Sequence, residues 1–246
     1  MGPVASTGRP GTTRTVVCVG DSSTRGRSSG DYVAELQRRS GPDGTRFVNA
    51  GVDGDLAWNV LQRLDRVVAC RPDAVTLLVG TNDVLATLDA RREAVYRRRK
   101  HIPRTPTLDW YRECVDAVLG RLRSETTARL AVLDLPPLGE DLSGETNRRV
   151  GAYDAALREV AAAHGVPVLP LHDRLVAMLP PGHRPPPFDG SSAVMLKATF
   201  AHLLLRRSLD EIGRRKGLAV LSDHVHLTER SAAVVADLIG DFLLPT

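Results

Sequence analysis

Four apolar residues in succession, Val16-Val17-Cys18-Val19, run without helical spacing and stop abruptly at Gly20-Asp21-Ser22-Ser23. Such a run suits a parallel strand covered on both faces, and a covered parallel strand needs helices on either side of its sheet. The carboxyl end of such a strand is where open α/β sheets bind ligands, which makes Ser22 a candidate nucleophile. Gly, Asp and Ser are also ordinary turn formers, so the stretch alone leaves a structural reading open. A phosphate loop is excluded by spacing: five residues separate Gly20 from Gly26 where that motif has four, and Arg27 replaces its lysine. Gly26-Arg27-Ser28-Ser29-Gly30 matches G-x-S-x-G literally, but no apolar strand leads into it, and Ser28 reads as a loop residue.

The rest of the chain repeats the pattern. Short apolar runs at Arg46–Asn49, Ala74–Val79, Leu130–Leu135 and Val166–Leu169 read as further strands. Between them, helical spacing marks Asp31–Arg39, a stripe through Leu56, Val60, Leu61, Leu64, Val67 and Val68, a helix capped by Thr107, and Asn147–His164. Five strands alternating with helices predict an α/β protein with a central parallel sheet wrapped on both faces. Residues 1–13, rich in Gly, Pro, Ser and Thr, read as a disordered lead-in, and residues 14–246 as one domain. The basic run Arg97-Arg98-Arg99-Lys100-His101 reads as a solvated connector, with an anion-binding rim as the sharper option.

Alternation lapses over about 172–221, where Pro180-Pro181-Gly182 and Pro185-Pro186-Pro187 frame a stiff excursion. A helix starting near Ser191 or Ser192 and a second one begun by Ser208 and closed at Gly217 follow. This pair suits a cover over the active-site face and plain packing on the sheet equally well. Apolar residues between Ala193 and Leu205 suit an acyl chain or a core.

Composition narrows the function classes. Hydrophobic residues are 42% and charged ones 25%, an ordinary globular balance, and 33 basic against 29 acidic residues leave a net charge of only +4. Aromatics at 4% give few stacking platforms, which argues against nucleic acid. Cys18, Cys70 and Cys114 read as small core residues. No stretch approaches the roughly 20 apolar residues of a membrane span, and Met1–Arg14 lacks a signal peptide's apolar centre, the pattern of a cytoplasmic protein.

Three further loops carry chemistry. Gly51 and Gly54 precede the Leu56 helix, where a glycine can offer its N–H to a developing anion or simply supply an unusual φ. Asn82, in Gly80-Thr81-Asn82-Asp83, can aim a side-chain amide at an oxyanion. Asp223 and His226 stand three apart before a helix capped by Thr228, where the acid can orient the histidine. His224 and His226 form an H-x-H pair without matching acidic or cysteine ligands, so no metal is expected.

Gly20-Asp21-Ser22-Ser23, Gly54-Asp55, Gly80-Thr81-Asn82-Asp83 and Asp223-His224-Val225-His226 together resemble, in order, the four blocks of the SGNH hydrolases, the GDSL esterases and lipases. The resemblance covers Thr15 to about Leu244. It implies a flavodoxin-like three-layer α/β/α sandwich and a serine ester hydrolase without cofactor. By position, Ser22 would be the nucleophile, His226 the general base and Asp223 its orienting acid. The oxyanion hole would be the N–H groups of Ser22 and Gly54 with the Asn82 amide. Ser23 stands where the family's four-letter name has leucine, a variable position. The expected partner is a small-molecule or lipid ester; an acyltransferase on the same site is the alternative, and a non-catalytic binding module of the same fold the more distant one.

Overall fold

A computed structural model describes residues 14–41 and 44–244; the lead-in expected over 1–13 lies outside them. The first strand, β1 (Thr15–Gly20), is buried throughout, and its side chains alternate between two cores. Val17 and Val19 enter one core, Val16 and Cys18 the other, as the two-residue period of a strand demands. Each such side chain contributes about 1.5–3 kcal/mol relative to exposure. A short helix, α1 (Ser22–Arg25), begins at once, its first turn capped by the Asp21 carboxylate.

Next come α2 (Tyr32–Ser40) and β2 (Arg46–Gly51). The single stripe expected from Leu56 to Val68 is two helices, α3 (Ala57–Gln62) and α4 (Leu64–Val68), broken at Arg63. The apolar spacing survives the break because Val60, Leu64 and Val67 all face the same core. The chain continues through β3 (Ala74–Leu78), α5 (Thr81–Ala86) and α6 (Ala90–Lys100). The basic run is therefore no connector. It forms the last turn of α6, where cations favour the negative end of the helix dipole.

Then follow α7 (Leu108–Glu125), capped by the Thr107 hydroxyl as expected, β4 (Arg129–Leu133), α8 (Glu145–Ala163) and β5 (Val168–Leu169). The segment of lapsed alternation holds three helices: α9 (Leu171–Val176), α10 (Ser192–Leu203) and α11 (Leu209–Arg215). Ser191 and Ser208 cap the last two. The chain closes in α12 (Glu229–Leu243), capped by Thr228.

All strand pairs are parallel, in the order β2-β1-β3-β4-β5. One face is covered by α3, α4, α5, α7 and α8, the other by α2, α9 and α12, which makes the three-layer sandwich. The order reverses direction at β1 and β3, and a doubly wound sheet opens its ligand crevice at the carboxyl ends of those two strands. Ser22 and Asn82 begin there. No helix among the described residues is long and apolar enough to cross a membrane. Burial pushes the Cys18 and Cys114 thiols up to about 12, so both behave as core side chains.

Gly51 ends β2 directly against α1, where a Cβ would fall on the Arg25 amide nitrogen and the Thr24 carbonyl carbon. Gly51→Ala is expected to destabilise by about 1–3 kcal/mol through overpacking. Equilibrium urea unfolding reads this, and an unchanged midpoint would contradict the contact.

Candidate active site

The site is built by three loop ends and one returning turn. At the end of β1, the Ser22 hydroxyl oxygen lies 3.0 Å from Nε2 of His226. Nδ1 of that ring lies 2.8 Å from Oδ2 of Asp223. With Nδ1 donating to the carboxylate, Nε2 of the neutral ring accepts from the serine. The other carboxylate oxygen takes the backbone N–H groups of His226 at 2.8 Å and Val225 at 3.2 Å. Asp223 is wholly buried, and Ser22 is only 9% exposed.

Asp223 and His226 sit at the tip of a tight turn whose base is a bridge between Leu221 and Leu227, with Ser222 N–H donating to the His226 carbonyl at 2.8 Å. A buried acid from elsewhere holds that base. Glu140 accepts from the amides of Ala219, Val220 and Leu221 at 2.8–3.0 Å and contacts His183 Nε2 at 2.6 Å. Gly139 N–H donates to the His224 carbonyl at 2.7 Å. His224 itself adopts φ 71, a left-handed conformation uncommon outside glycine, and meets Phe188 edge-on with ring centres 6.0 Å apart.

Asn82 lies in the first turn of α5. Its Nδ2 donates to Oδ2 of Asp21 and to the carbonyl of Asp55, each at 3.1 Å, while its Oδ1 accepts from the Tyr96 hydroxyl at 2.6 Å. The amide therefore ties the residue before Ser22 to the residue after Gly54. Gly54 has φ 73, which only glycine adopts cheaply. Its loop is clamped by Lys100, whose ammonium contacts Asp55 at 2.6 Å and the Asp53 carbonyl at 2.9 Å. Arg63 completes the clamp, donating to Asp55 and to the carbonyls of Ala50 and Gly20 at 2.7–2.9 Å.

Three carboxyls, Asp21, Asp55 and Asp83, are buried beneath the site, and the two cations go to Asp55. Burial pushes Asp21 up to about 6, with the charges of Asp55 and Asp53 adding to it, and raises Asp83 well above the carboxylate range. Burial alone would lower His226. The Asp223 charge and hydrogen bond, with Asp21 and Asp53 behind them, outweigh it and raise its pKa. Burial likewise opposes the charge on Asp223, but its His226 partner and two backbone N–H bonds bring the carboxyl below its usual value.

The sequence candidates Ser22, Asp223 and His226 come together as one hydrogen-bonded line, and Asn82 lies beside Asp21. Gly51 is spent on packing against α1. Ser28 bonds the Thr199 hydroxyl at 3.1 Å. Lys100, read as part of an exposed run, is an internal anchor. Tyr96, Arg63 and Glu140 belong to none of the four sequence blocks. Tyr96 is the one aromatic residue in a mostly charged helix, a usable signal; Glu140 meets partners some eighty positions away, and nothing near it in the sequence marks it.

A five-stranded, all-parallel sheet between two helical layers is the three-layer fold of the SGNH hydrolases. The model of the GDSL-like lipase/acylhydrolase family matches residues 18–203, and the chain belongs to that family of ester hydrolases. The matched span holds Ser22, Gly54 and Asn82 and ends before Asp223. No curated protein matches. Among solved structures, the chain is similar to an acetyl xylan esterase, at 18% identity and TM-score 0.65 over 94% of this chain and 100% of that one. A lipase/acylhydrolase from Enterococcus faecalis aligns at 23% identity and TM-score 0.63, over 94% and 95%. An acetylxylan esterase from Geobacillus stearothermophilus aligns at 17% and 0.61, over 93% of each. At these identities the likeness concerns the fold.

Glu140→Ala is expected to strand three amides at the base of the Asp223–His226 turn and to cost about 3–5 kcal/mol, since each buried donor left without an acceptor costs about 1–3 kcal/mol. Glu140→Gln keeps one carbonyl acceptor and should lose clearly less. Urea unfolding of both variants checks the order, and equal stability of Glu140→Ala and wild type would refute the anchor.

Proposed function

We propose that the chain is a serine carboxylic-ester hydrolase that works through an acyl-enzyme on Ser22. The observation that carries this reading is the line Ser22–His226–Asp223, with 3.0 Å and 2.8 Å between successive polar atoms. Ser22 Oγ attacks the ester carbonyl carbon while its proton passes to Nε2 of His226. The carbonyl oxygen becomes an oxyanion, His226 returns the proton to the leaving alcohol, and the C–O bond to that alcohol breaks. A water molecule, deprotonated by the same nitrogen, then attacks the acyl carbon and releases the acid and free Ser22. Asp223 keeps Nδ1 protonated and stabilises the ring when it carries charge.

The oxyanion would be met by the N–H of Ser22, at the start of α1 where no intrahelical acceptor exists, by the N–H of Gly54, and by Nδ2 of Asn82. Both Nδ2 hydrogens already have acceptors at 3.1 Å, so the oxyanion must share one of them. Tyr96 fixes which end of the amide faces inward. Its hydroxyl can only donate where Asn82 presents oxygen, since Asp21 and the Asp55 carbonyl take the nitrogen end. The reaction as written uses protein groups and water and calls on no cofactor.

Intact mass after fluorophosphonate treatment should show one adduct on the wild type and none on Ser22→Ala; a folded, unlabelled wild type would refute the nucleophile. Asn82→Ala should lower kcat by about 10²–10³ with the fold intact. The general base acts neutral, and its pKa is raised above 6.5. Activity should therefore rise with pH through a midpoint above 6.5, and Asp223→Asn should move that limb down while cutting kcat by about 10⁴, as amidation of such an aspartate does in serine proteases. The sign for stability is opposite: a raised histidine pKa stabilises the fold below 6.5 and ceases to do so as pH climbs through the folded value. A pH–rate profile whose acid limb ignores Asp223→Asn would remove His226 from the mechanism.

A further inference from the structure

The helix α10 is turned inside out. Leu196, Phe200, Leu203 and Leu204 recur at helical spacing and form one stripe that faces water, continued by Leu205. Leu196 is 71% exposed and Leu204 67%. The inward side carries Met195 against the main core, and Ala198 and Ala201 against Leu209 and Ile212 of α11. Met195 apart, small residues are thus inside and large ones outside, the reverse of a surface helix. Leu196, Phe200, Leu203, Leu204 and Leu205 therefore join no core, and a contiguous exposed patch of this kind marks an interaction surface.

Charge says what the surface fits. No acidic residue occurs between Ser191 and Leu209, while Lys197, Arg206 and Arg207 are exposed beside the stripe. Arg27 is exposed on the neighbouring loop, whose Ser28 accepts the Thr199 hydroxyl of α10 at 3.1 Å. A leucine and phenylalanine stripe rimmed by cations is the chemistry that inserts into the acyl boundary of a bilayer while pairing with anionic headgroups. Two copies meeting stripe to stripe would instead bring four cations against four of the same sign.

We propose that α10 docks this protein onto an anionic phospholipid surface. The location gives the docking a use. Ser28 joins α10 to the loop that follows Ser22, and the adjoining Ser29 accepts the Leu227 N–H at 3.1 Å, beside His226. This run of contacts leads from α10 to the residues flanking Ser22 and His226, so a docked lipid would be the source of the ester. That last step rests on the hydrolase reading; the docking does not.

The test is co-sedimentation of the full chain with vesicles of phosphatidylcholine alone or mixed with phosphatidylglycerol. Wild type should prefer the anionic vesicles, and the preference should weaken with salt. Leu196→Asp/Phe200→Asp should bind about tenfold or more weakly, with kcat/KM on a short soluble ester unchanged. Arg206→Glu/Arg207→Glu, which leaves the apolar stripe intact, should abolish the anionic preference. Equal binding of wild type to both vesicles, undiminished binding of the Asp variant, or a wild-type dimer that the Asp variant dissociates would each overturn the proposal. Binding is read without turnover. Failure of Ser22 to label would sink the hydrolase reading and leave docking standing, while failed binding with intact labelling would sink docking alone.

Discussion

The side-chain amide of Asn82 is the keystone of the site, because it bonds at once to the loop after β1 and to the loop after β2. One Nδ2 donates to Asp21, beside Ser22, and to the carbonyl of Asp55, beside Gly54. Neither loop is fixed by regular secondary structure at that point, since both have just left the sheet. A single planar group with one acceptor and two donors can specify the spacing of both, provided its orientation is fixed, and the Tyr96 hydroxyl fixes it.

The electrostatics beneath follow from where the cations go. Arg63 and Lys100 both serve Asp55, and Arg63 also takes the carbonyls at the ends of β1 and β2. Asp21 and Asp83 are left buried without a cation, which is why their carboxyls are raised. The negative charge that Asp21 carries once ionised adds to that of Asp223 in favouring protonated His226. The break between α3 and α4 puts Arg63, whose side chain is half of the clamp, at the junction of the two helices.

The segment from Leu171 to Arg215 joins the site by different means. Its helices are tied to the rest through Glu140 and His183, through Phe188 against His224, through Arg92 to the Gly190 carbonyl at 2.6 Å, and through Thr199 to Ser28. α9 buries Leu171 and Leu175 in the core it shares with α2 and α12, but from Pro180 to Leu205 the ties are polar or edge contacts, with Met195 and Phe188 the residues that reach the other core. An element attached in this way is free to use its large apolar side chains elsewhere, and α10 shows them to solvent.

How much of this was legible in the chain divides along the range of the interactions. Local rules decided the strands, the caps at Thr107, Ser191, Ser208 and Thr228, and the order of the four loop blocks, because each depends on residues a few positions apart. The parallel α/β architecture followed from the alternation alone, and the family resemblance added the sandwich. The fate of Lys100, the split at Arg63, the packing role of Gly51 and the anchoring by Glu140 were decided only in three dimensions. Each is settled by a partner far away in sequence, and a charge or a glycine reads the same in a string whether its partner is solvent or a buried backbone. The outward face of α10 belongs here too: helical spacing told which residues share a stripe, but which side of the helix meets water was decided by Ala198 and Ala201 fitting against α11.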